Sequence, residues 1–194
     1  MKVLGLTGGV GMGKSTAAGF FLQRGVRVVD TDELARRLVQ PGKPALAEIQ
    51  IEFGADIIAA NGELKRAELA RLVFADPVAR KKLEAILHPR IREHWLAQIE
   101  TWRKEDCAFA LVVIPLLFET GAGSHFDKII CVACSPAAQR ERLAARGWDA
   151  EQIRQRITAQ QPVEQKIARA HFVIWTEGSL DVHREQVSKI LQKL

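Results

Sequence analysis

The sequence has 194 residues, of which 47% are hydrophobic and 26% are charged, a balance typical of a soluble globular protein. It holds no run of the ~20 apolar residues that a membrane span needs and no leader pattern at its amino terminus, so we expect a cytoplasmic protein. The net charge of +5 suits a polyanionic small substrate as well as a nucleic acid. Because the chain lacks tyrosine and has no aromatic residues interleaved with basic ones, we expect no nucleic-acid partner.

The first motif lies between a short apolar run, which predicts a strand at 2–6, and a run that predicts a helix at 16–24. Residues 8–15 fit G-x-x-x-x-G-K-[ST], the phosphate-binding loop. Glycines let backbone N–H groups converge on one anion, Lys14 reaches the β- and γ-phosphates, and Ser15 offers its hydroxyl to Mg²⁺. The alternative is a glycine-rich helix cap that binds nothing. We assign ATP binding here to Gly8, Gly9, Gly11, Met12, Gly13, Lys14, Ser15 and Thr16.

A second, β-branched strand is predicted at 26–30, and it leads into two aspartates. Ligands bind at the carboxyl ends of the strands in open parallel sheets. We therefore expect Asp32 to lie in a loop at the same rim as the phosphate-binding motif and to take part in the chemistry. Asp30 or Thr31 could simply cap a helix predicted at 33–39.

A proline- and glycine-rich break at 41–44 precedes a long region with helical patterns and no convincing strand. Helices are expected at 45–53, 66–74, 77–87 and, after His88-Pro89 interrupts the pattern, up to about 102. At about 65 residues the region is too long for one crossover helix, so we expect a separate lobe that holds a substrate. His88 could contact that substrate or could pack inside the lobe.

The remaining strands are expected at 109–114, 129–133 and 172–175, with a closing helix at 180–191. Between the last two strands lies a helical segment that is rich in arginine. Arg142 and Arg146 are four residues apart and are expected to share a helix face. Beside a phosphate loop, such a segment is expected to close over ATP as a lid, although a solvated basic face is the alternative.

Two cysteines, Cys131 and Cys134, have the spacing of a metal or redox pair. Because they follow an apolar strand and no second pair completes a site, we expect ordinary buried thiols. The three cysteines of the chain are too few for a disulfide framework.

The order and spacing of these motifs resemble the dephospho-CoA kinase family over nearly the whole chain. The residues that carry the resemblance are 6–16, 29–32, Ala35, Arg36, 53–54, 61–66, Phe74, 83–89, 115–119, Gln139, Arg142, Arg146 and Gln160. The resemblance implies an α/β fold with a five-stranded parallel sheet as a P-loop kinase core. It assigns residues 1–35, 107–135 and 170–194 to the core, 36–106 to a helical domain for the CoA substrate, and 136–169 to a lid.

The same resemblance implies transfer of the γ-phosphoryl group of ATP to the ribose 3′-hydroxyl of dephospho-CoA, with Mg²⁺. Asp32 stands where the family has its catalytic carboxylate, and Arg142 and Arg146 stand where the family closes on ATP. Thr176 takes the place of an asparagine that lies near the nucleotide base in the family. We therefore assign catalysis to Asp32, Lys14 and Arg142, ATP binding also to Arg142, Arg146 and Thr176, acceptor binding to Asp32, Arg66, His88 and Glu119, and the metal to Ser15.

Two other functions fit the phosphate-binding motif. One is a different small-molecule kinase on the same core, with a nucleoside or a sugar acid as acceptor. The other is a nucleotide-dependent regulatory switch, which would bind partners according to its nucleotide and would not turn over faster with an acceptor. We expect a monomer or a weak homo-oligomer.

Overall fold

The computed structural model describes residues 1–194, and its centre is a wholly parallel sheet of five strands. The strands are β1 (Lys2–Gly8), β2 (Arg27–Asp30), β3 (Phe109–Val113), β4 (Lys128–Ala133) and β5 (Phe172–Trp175). Their order is β2-β3-β1-β4-β5, so the first strand of the chain is the central one. Leu6 is opposite Val113 on one side and Ile130 on the other. The predicted α/β class with a five-stranded parallel sheet is confirmed.

Nine α-helices and two short 3₁₀ turns, Ala55–Ile57 and Ala122–His125, connect or flank the strands. The helices are α1 (Lys14–Leu22), α2 (Thr31–Leu38), α3 (Pro44–Phe53), α4 (Arg66–Ala75), α5 (Pro77–Lys104), α6 (Pro136–Ala144), α7 (Ala150–Thr158), α8 (Val163–Arg169) and α9 (Leu180–Gln192). None of them is both long and apolar enough to cross a membrane.

The chain forms two compact units, one of residues Met1–Asp30 with Ile99–Leu194 and the other of Thr31–Gln98. In the first, side chains of the sheet pack with α1 and α9 in a core that includes Leu6, Phe21 and Val187. The second has its own core and no strands, as the helical pattern predicts. That core includes Val39, Leu46, Ile49, Ile57, Leu69 and Val73.

Two expectations about helix boundaries are wrong. Helix α2 begins at Thr31, directly after β2, so Asp32 lies in the first turn of a helix rather than in a loop. Acidic side chains in a first turn are stabilised by the positive end of the helix dipole, which favours this early start.

Helix α5 runs without a break through His88-Pro89, although the sequence predicts an interruption there. An interior proline removes one backbone hydrogen bond and costs about 3 kcal/mol. Side chains on both sides of it are packed: Ile86 contacts the core of the second unit, and Trp95 is buried. Tertiary packing therefore outweighs the local penalty.

Candidate active site

The phosphate loop, residues 8–15, leaves the carboxyl end of the central strand β1 and enters α1. Gly8 lies so close to β4 that a Cβ atom there would be 2.2 Å from the carbonyl oxygen of Val132. Gly11 and Gly13 have φ angles of 76° and 92°, in the left-handed region that favours glycine. Turns of this kind curve the backbone so that successive N–H groups line a concave anion site. The loop therefore has the conformation that its motif predicts.

The side chain of Lys14 extends back over this loop. Its Nζ lies 2.9 Å from the carbonyl oxygen of Gly8 and 2.9 Å from that of Gly9. Ser15 and Thr16 are exposed at the amino end of α1, where the helix dipole adds positive potential. An ammonium group, two open hydroxyl groups and a helix terminus thus surround the loop, an arrangement that suits a polyphosphate.

Thr176 lies just after β5, and its side chain contacts the phosphate loop. Its hydroxyl donates to the carbonyl oxygen of Met12 at 3.0 Å, and its methyl carbon would be 3.3 Å from a Cβ atom at Gly13. Met12 itself is buried, with its sulfur 2.8 Å from the position of a Cβ atom on Gly9. Thr176, which departs from the family pattern, and Met12 therefore meet in one contact.

Arg142, on α6, binds Thr176 with its side chain. Its guanidinium donates to the hydroxyl of Thr176 at 2.7 Å and to the carbonyl oxygen of the same residue at 2.6 Å. Arg146 is exposed and follows the end of α6, which is Ala144. Its N–H bonds the carbonyl of Leu143 in a tighter turn, so the expectation that Arg142 and Arg146 share one helix face is wrong.

Two glutamines to which the sequence assigned no role also touch the loop. Gln139 Nε2 donates to the carbonyl oxygen of Val10 at 2.8 Å, and Gln160 Oε1 accepts from the N–H of Val10 at 2.9 Å. Both residues were among those that carry the family resemblance. That was the available signal, since neither glutamine lies in a pattern that by itself indicates phosphate binding.

Glu119 is part of a buried ion pair. Its Oε1 lies 2.8 Å from Nζ of Lys166 and also accepts from the N–H of Gln161 at 2.9 Å. Lys166 is 0% exposed and donates in addition to the carbonyl oxygen of Pro115 at 2.7 Å. The second oxygen of Glu119 is buried without a hydrogen-bond partner. Lys166 therefore does not belong to a solvated basic face. It ties α8 to the chain that follows β3.

The other predicted acceptor residues lie in the second unit. Asp32 is exposed in the first turn of α2, and Arg66 donates to the carbonyl oxygen of Arg36 at 3.1 Å. His88 is half-buried in α5, and burial is the main cause that lowers its pKa, with Glu84 opposing the effect and Arg92 adding to it.

A cavity of about 410 Å³ lies among α2, α3 and α5 of the same unit. Its polar lining consists of Arg37, Gln40, Lys43, Arg90, Glu93 and His94, of which the two arginines and the lysine are cationic. Leu34, Leu38, Pro44 and Ala45 supply an apolar wall. Neither Arg66 nor His88 lines this cavity, and the sequence did not single out the residues that do.

The cysteines are free thiols, and Cys131 and Cys134 are buried. Burial raises the pKa of Cys131 to about 11, against the opposing influence of the nearby Lys166 and Lys14. A thiol of this kind stays protonated at neutral pH and is a poor nucleophile.

A phosphate loop on the central strand of a parallel five-stranded sheet, with an arginine fixed beside it, defines a P-loop kinase. A family model described as dephospho-CoA kinase matches residues 2–181. The chain belongs to the dephospho-CoA kinase family, whose members phosphorylate dephospho-CoA to coenzyme A with ATP.

Individual relatives agree with this family. A dephospho-CoA kinase of Syntrophotalea carbinolica is 42% identical over 195 residues, which cover 100% of this chain and 92% of that protein. A solved structure from Thermus thermophilus is 34% identical with a TM-score of 0.81, covering 100% of this chain and 97% of the other. The structure of dephospho-CoA kinase from Campylobacter jejuni is 26% identical with a TM-score of 0.71, covering 98% and 96%.

Proposed function

We propose that this chain transfers the γ-phosphoryl group of ATP to the ribose 3′-hydroxyl of dephospho-CoA, giving coenzyme A and ADP. The observation that carries the proposal is the phosphate loop with Lys14 folded over it and Arg142 held beside it, in a chain of this family. We further propose a cytoplasmic enzyme that is monomeric or weakly self-associating and binds no nucleic acid.

Phosphoryl transfer asks the protein mainly to position its reactants and to stabilise charge. The loop amides and the ammonium group of Lys14 would hold the β- and γ-phosphates, in place of the two carbonyl oxygens that the lysine now contacts. Arg142 and Arg146 would stabilise the charge on the group in transfer, a role worth ~10³-fold or more in related enzymes.

Asp32 is the proposed base that orients the acceptor hydroxyl and takes its proton. Strand β2 ends at Asp30, whose register partner on β3 is Val113, and Val113 is also opposite Leu6 of β1. The carboxyl ends of β1 and β2 therefore lie at one edge of the sheet, and Asp32 follows Asp30 by two residues along the chain. Its side chain is exposed.

The residues at the amino end of α1 fit a divalent cation. The exposed hydroxyl of Ser15 follows Lys14 directly and would hold Mg²⁺. When bound, the ion supplies positive charge that neutralises the phosphates.

The acceptor itself is an anion with a long, partly apolar arm. The cavity of the second unit supports binding of such a molecule, because Arg37, Lys43 and Arg90 face it together with apolar side chains. Arg66 and His88 remain proposed for acceptor binding, and Glu119 for positioning the substrate or for a structural role.

The test is ADP release with ATP, Mg²⁺ and a panel of acceptors, for the wild type, Asp32→Asn and Glu33→Gln. Glu33 is a matched control, because it is an exposed acid in the same helical turn. Of the acceptors, we expect only dephospho-CoA to give rapid ADP release. The kcat of Asp32→Asn should fall by ~10²-fold or more, whereas that of Glu33→Gln should stay near normal. Turnover that ignores dephospho-CoA would refute the function, and a near-normal kcat for Asp32→Asn would refute the base.

A further inference from the structure

We infer that Gln139 and Gln160 are positioning residues for the donor phosphates, which act by holding the Val10 peptide of the phosphate loop from two sides. The inference rests on the proposed function in so far as ATP is the ligand of that loop. Neither glutamine is assigned to the nucleotide site by the motif, and neither carries a charge. Their role follows from what they hold in place.

The loop needs such support because a glycine-rich backbone is costly to order. Four of its first six residues, 8–13, are glycine, the residue that loses most conformational freedom when it is ordered. Within the loop, the N–H of Met12 reaches the carbonyl of Gly9 only at 3.3 Å. A loop that must present several N–H groups to one anion binds best when that arrangement exists before the ligand arrives.

The two glutamine side chains bind the two backbone polar groups of one residue, Val10. Nε2 of Gln139 donates to the carbonyl oxygen of Val10 at 2.8 Å. The N–H of Val10 donates to Oε1 of Gln160 at 2.9 Å. Gln139 is 6% exposed, so its amide is shielded from water. Val10 is thus fixed at both its polar groups.

The glutamines are themselves firmly placed. Gln139 lies on α6, whose first turn is capped by Ser135 and which approaches the loop so closely that a Cβ atom on Gly11 would be 2.8 Å from Leu143. Gln160 precedes Gln161, whose N–H is bound by Glu119 of the buried ion pair with Lys166. Both contacts therefore come from anchored backbone rather than from mobile surface.

One consequence concerns the arginine-rich segment. Residues 139 and 160 bracket the part of it that contains α7, and both ends are tied to the same peptide of the phosphate loop. The shape of the loop and the placement of this segment are coupled through Val10. Losing either glutamine should weaken ATP binding while leaving the affinity for the acceptor unchanged.

The experiment measures the Kd of ATP by calorimetry, and the KM values of ATP and dephospho-CoA, for Gln139→Met, Gln160→Met and the double variant. Gln165→Met, at an exposed position of α8, is the control. We expect the Kd of ATP to rise about threefold to tenfold for each single variant, as for loss of one hydrogen bond. Since both glutamines act on one peptide, the rise in the Kd of ATP for the double variant should be smaller than the product of the rises for the two single variants.

A second pair separates this role from general support of the fold. Gln160→Glu keeps an acceptor for the Val10 N–H, whereas Gln139→Glu loses the donor to the Val10 carbonyl, and both add the same charge. We expect the Kd of ATP to rise at least threefold more for Gln139→Glu than for Gln160→Glu. This pair also serves if a methionine variant fails to fold.

Values of Kd for ATP within twofold of wild type in both methionine variants, or equal effects of the two glutamate variants, would overturn the inference. A rise in the KM of dephospho-CoA that matches the rise for ATP would do the same. The Kd of ATP is measured without acceptor. A wild type that binds ATP but does not phosphorylate dephospho-CoA would therefore refute the proposed function, while the Kd values of the glutamine variants would still test the role of the two glutamines.

Discussion

The hydroxyl of Thr176 accepts a hydrogen bond from the guanidinium of Arg142 at 2.7 Å and donates one to the carbonyl oxygen of Met12 at 3.0 Å. One hydroxyl therefore links an arginine of α6 to the backbone of the phosphate loop. Since the residue is 9% exposed, water cannot easily replace it in either bond. Thr176 therefore contacts the backbone of the phosphate loop itself.

We therefore predict that Thr176→Val raises the KM of ATP about threefold to tenfold, because valine keeps the shape and loses both hydrogen bonds. Thr176→Ser keeps the hydroxyl and should stay within about twofold of wild type. Steady-state kinetics at saturating dephospho-CoA give both values. Equal kinetics for the valine variant and the wild type would show that the link has no effect on ATP.

Gly11 and Gly147 form a matched pair for a second prediction. Their φ angles are 76° and 81°, but a Cβ atom at Gly11 would lie 2.8 Å from Leu143, whereas one at Gly147 would meet nothing within 4 Å. Both alanine variants should lose about 1 kcal/mol of stability from the left-handed backbone. Only Gly11→Ala should also distort the phosphate loop and weaken ATP binding, by about tenfold or more.

Urea unfolding and ATP titration of the two variants check this. If Gly147→Ala weakens ATP binding as much as Gly11→Ala does, backbone strain alone is responsible and the contact with Leu143 is irrelevant.

Local sequence was sufficient for much of the fold. The strand at Phe172–Trp175 and the phosphate loop were predicted because apolar runs, glycine spacing and the Lys-Ser pair are short-range signals. The capping of α6 by Ser135 is also a local interaction, since the serine directly precedes the proline that begins the helix.

Contacts between distant parts of the chain were not predictable in the same way. Gln160 meets Val10 across 150 residues of sequence, and Lys166 meets Glu119 only because α8 folds onto the chain after β3. A lysine in an arginine-rich helical segment has the local pattern of a solvated face, and only packing makes it 0% exposed. Helix α5 passes Pro89 for the same reason, because packing and not propensity decides the outcome.

The buried pair of Lys166 and Glu119 gives a third prediction. Lys166→Met leaves the carboxylate of Glu119 without its cation, and such a loss should lower the free energy of unfolding by about 3 kcal/mol. Adding Glu119→Gln removes the uncompensated charge, so the double variant should recover at least ~1 kcal/mol.

Lys189→Met is the control, because Lys189 and Glu185 pair at 2.7 Å with both side chains more than 60% exposed (66% and 62%). It should change stability by less than ~0.5 kcal/mol. Urea unfolding at neutral pH measures all three variants. A double variant that is no more stable than Lys166→Met would mean that the two charges do not interact.

The last prediction concerns His183, which is buried in α9 and packs edge-on against Phe20, with 5.2 Å between ring centroids. Burial lowers its pKa, and the positive charge of Arg142 adds to the effect. Between this lowered value and the ordinary value of about 6.5, the unfolded chain binds more protons than the folded one. Stability therefore rises with pH through this window and is lost as the pH falls below about 6.5.

His183→Leu removes the titrating group and fills the site with an apolar side chain, so it should flatten the dependence of unfolding free energy on pH between about pH 7 and pH 5. Part of the slope should remain, because burial also lowers the pKa of His88, and His183→Leu combined with His88→Leu should flatten it further. Urea unfolding at several pH values gives the slopes. A slope that is unchanged in His183→Leu would show that the buried imidazole takes up its proton as readily in the fold as in the unfolded chain.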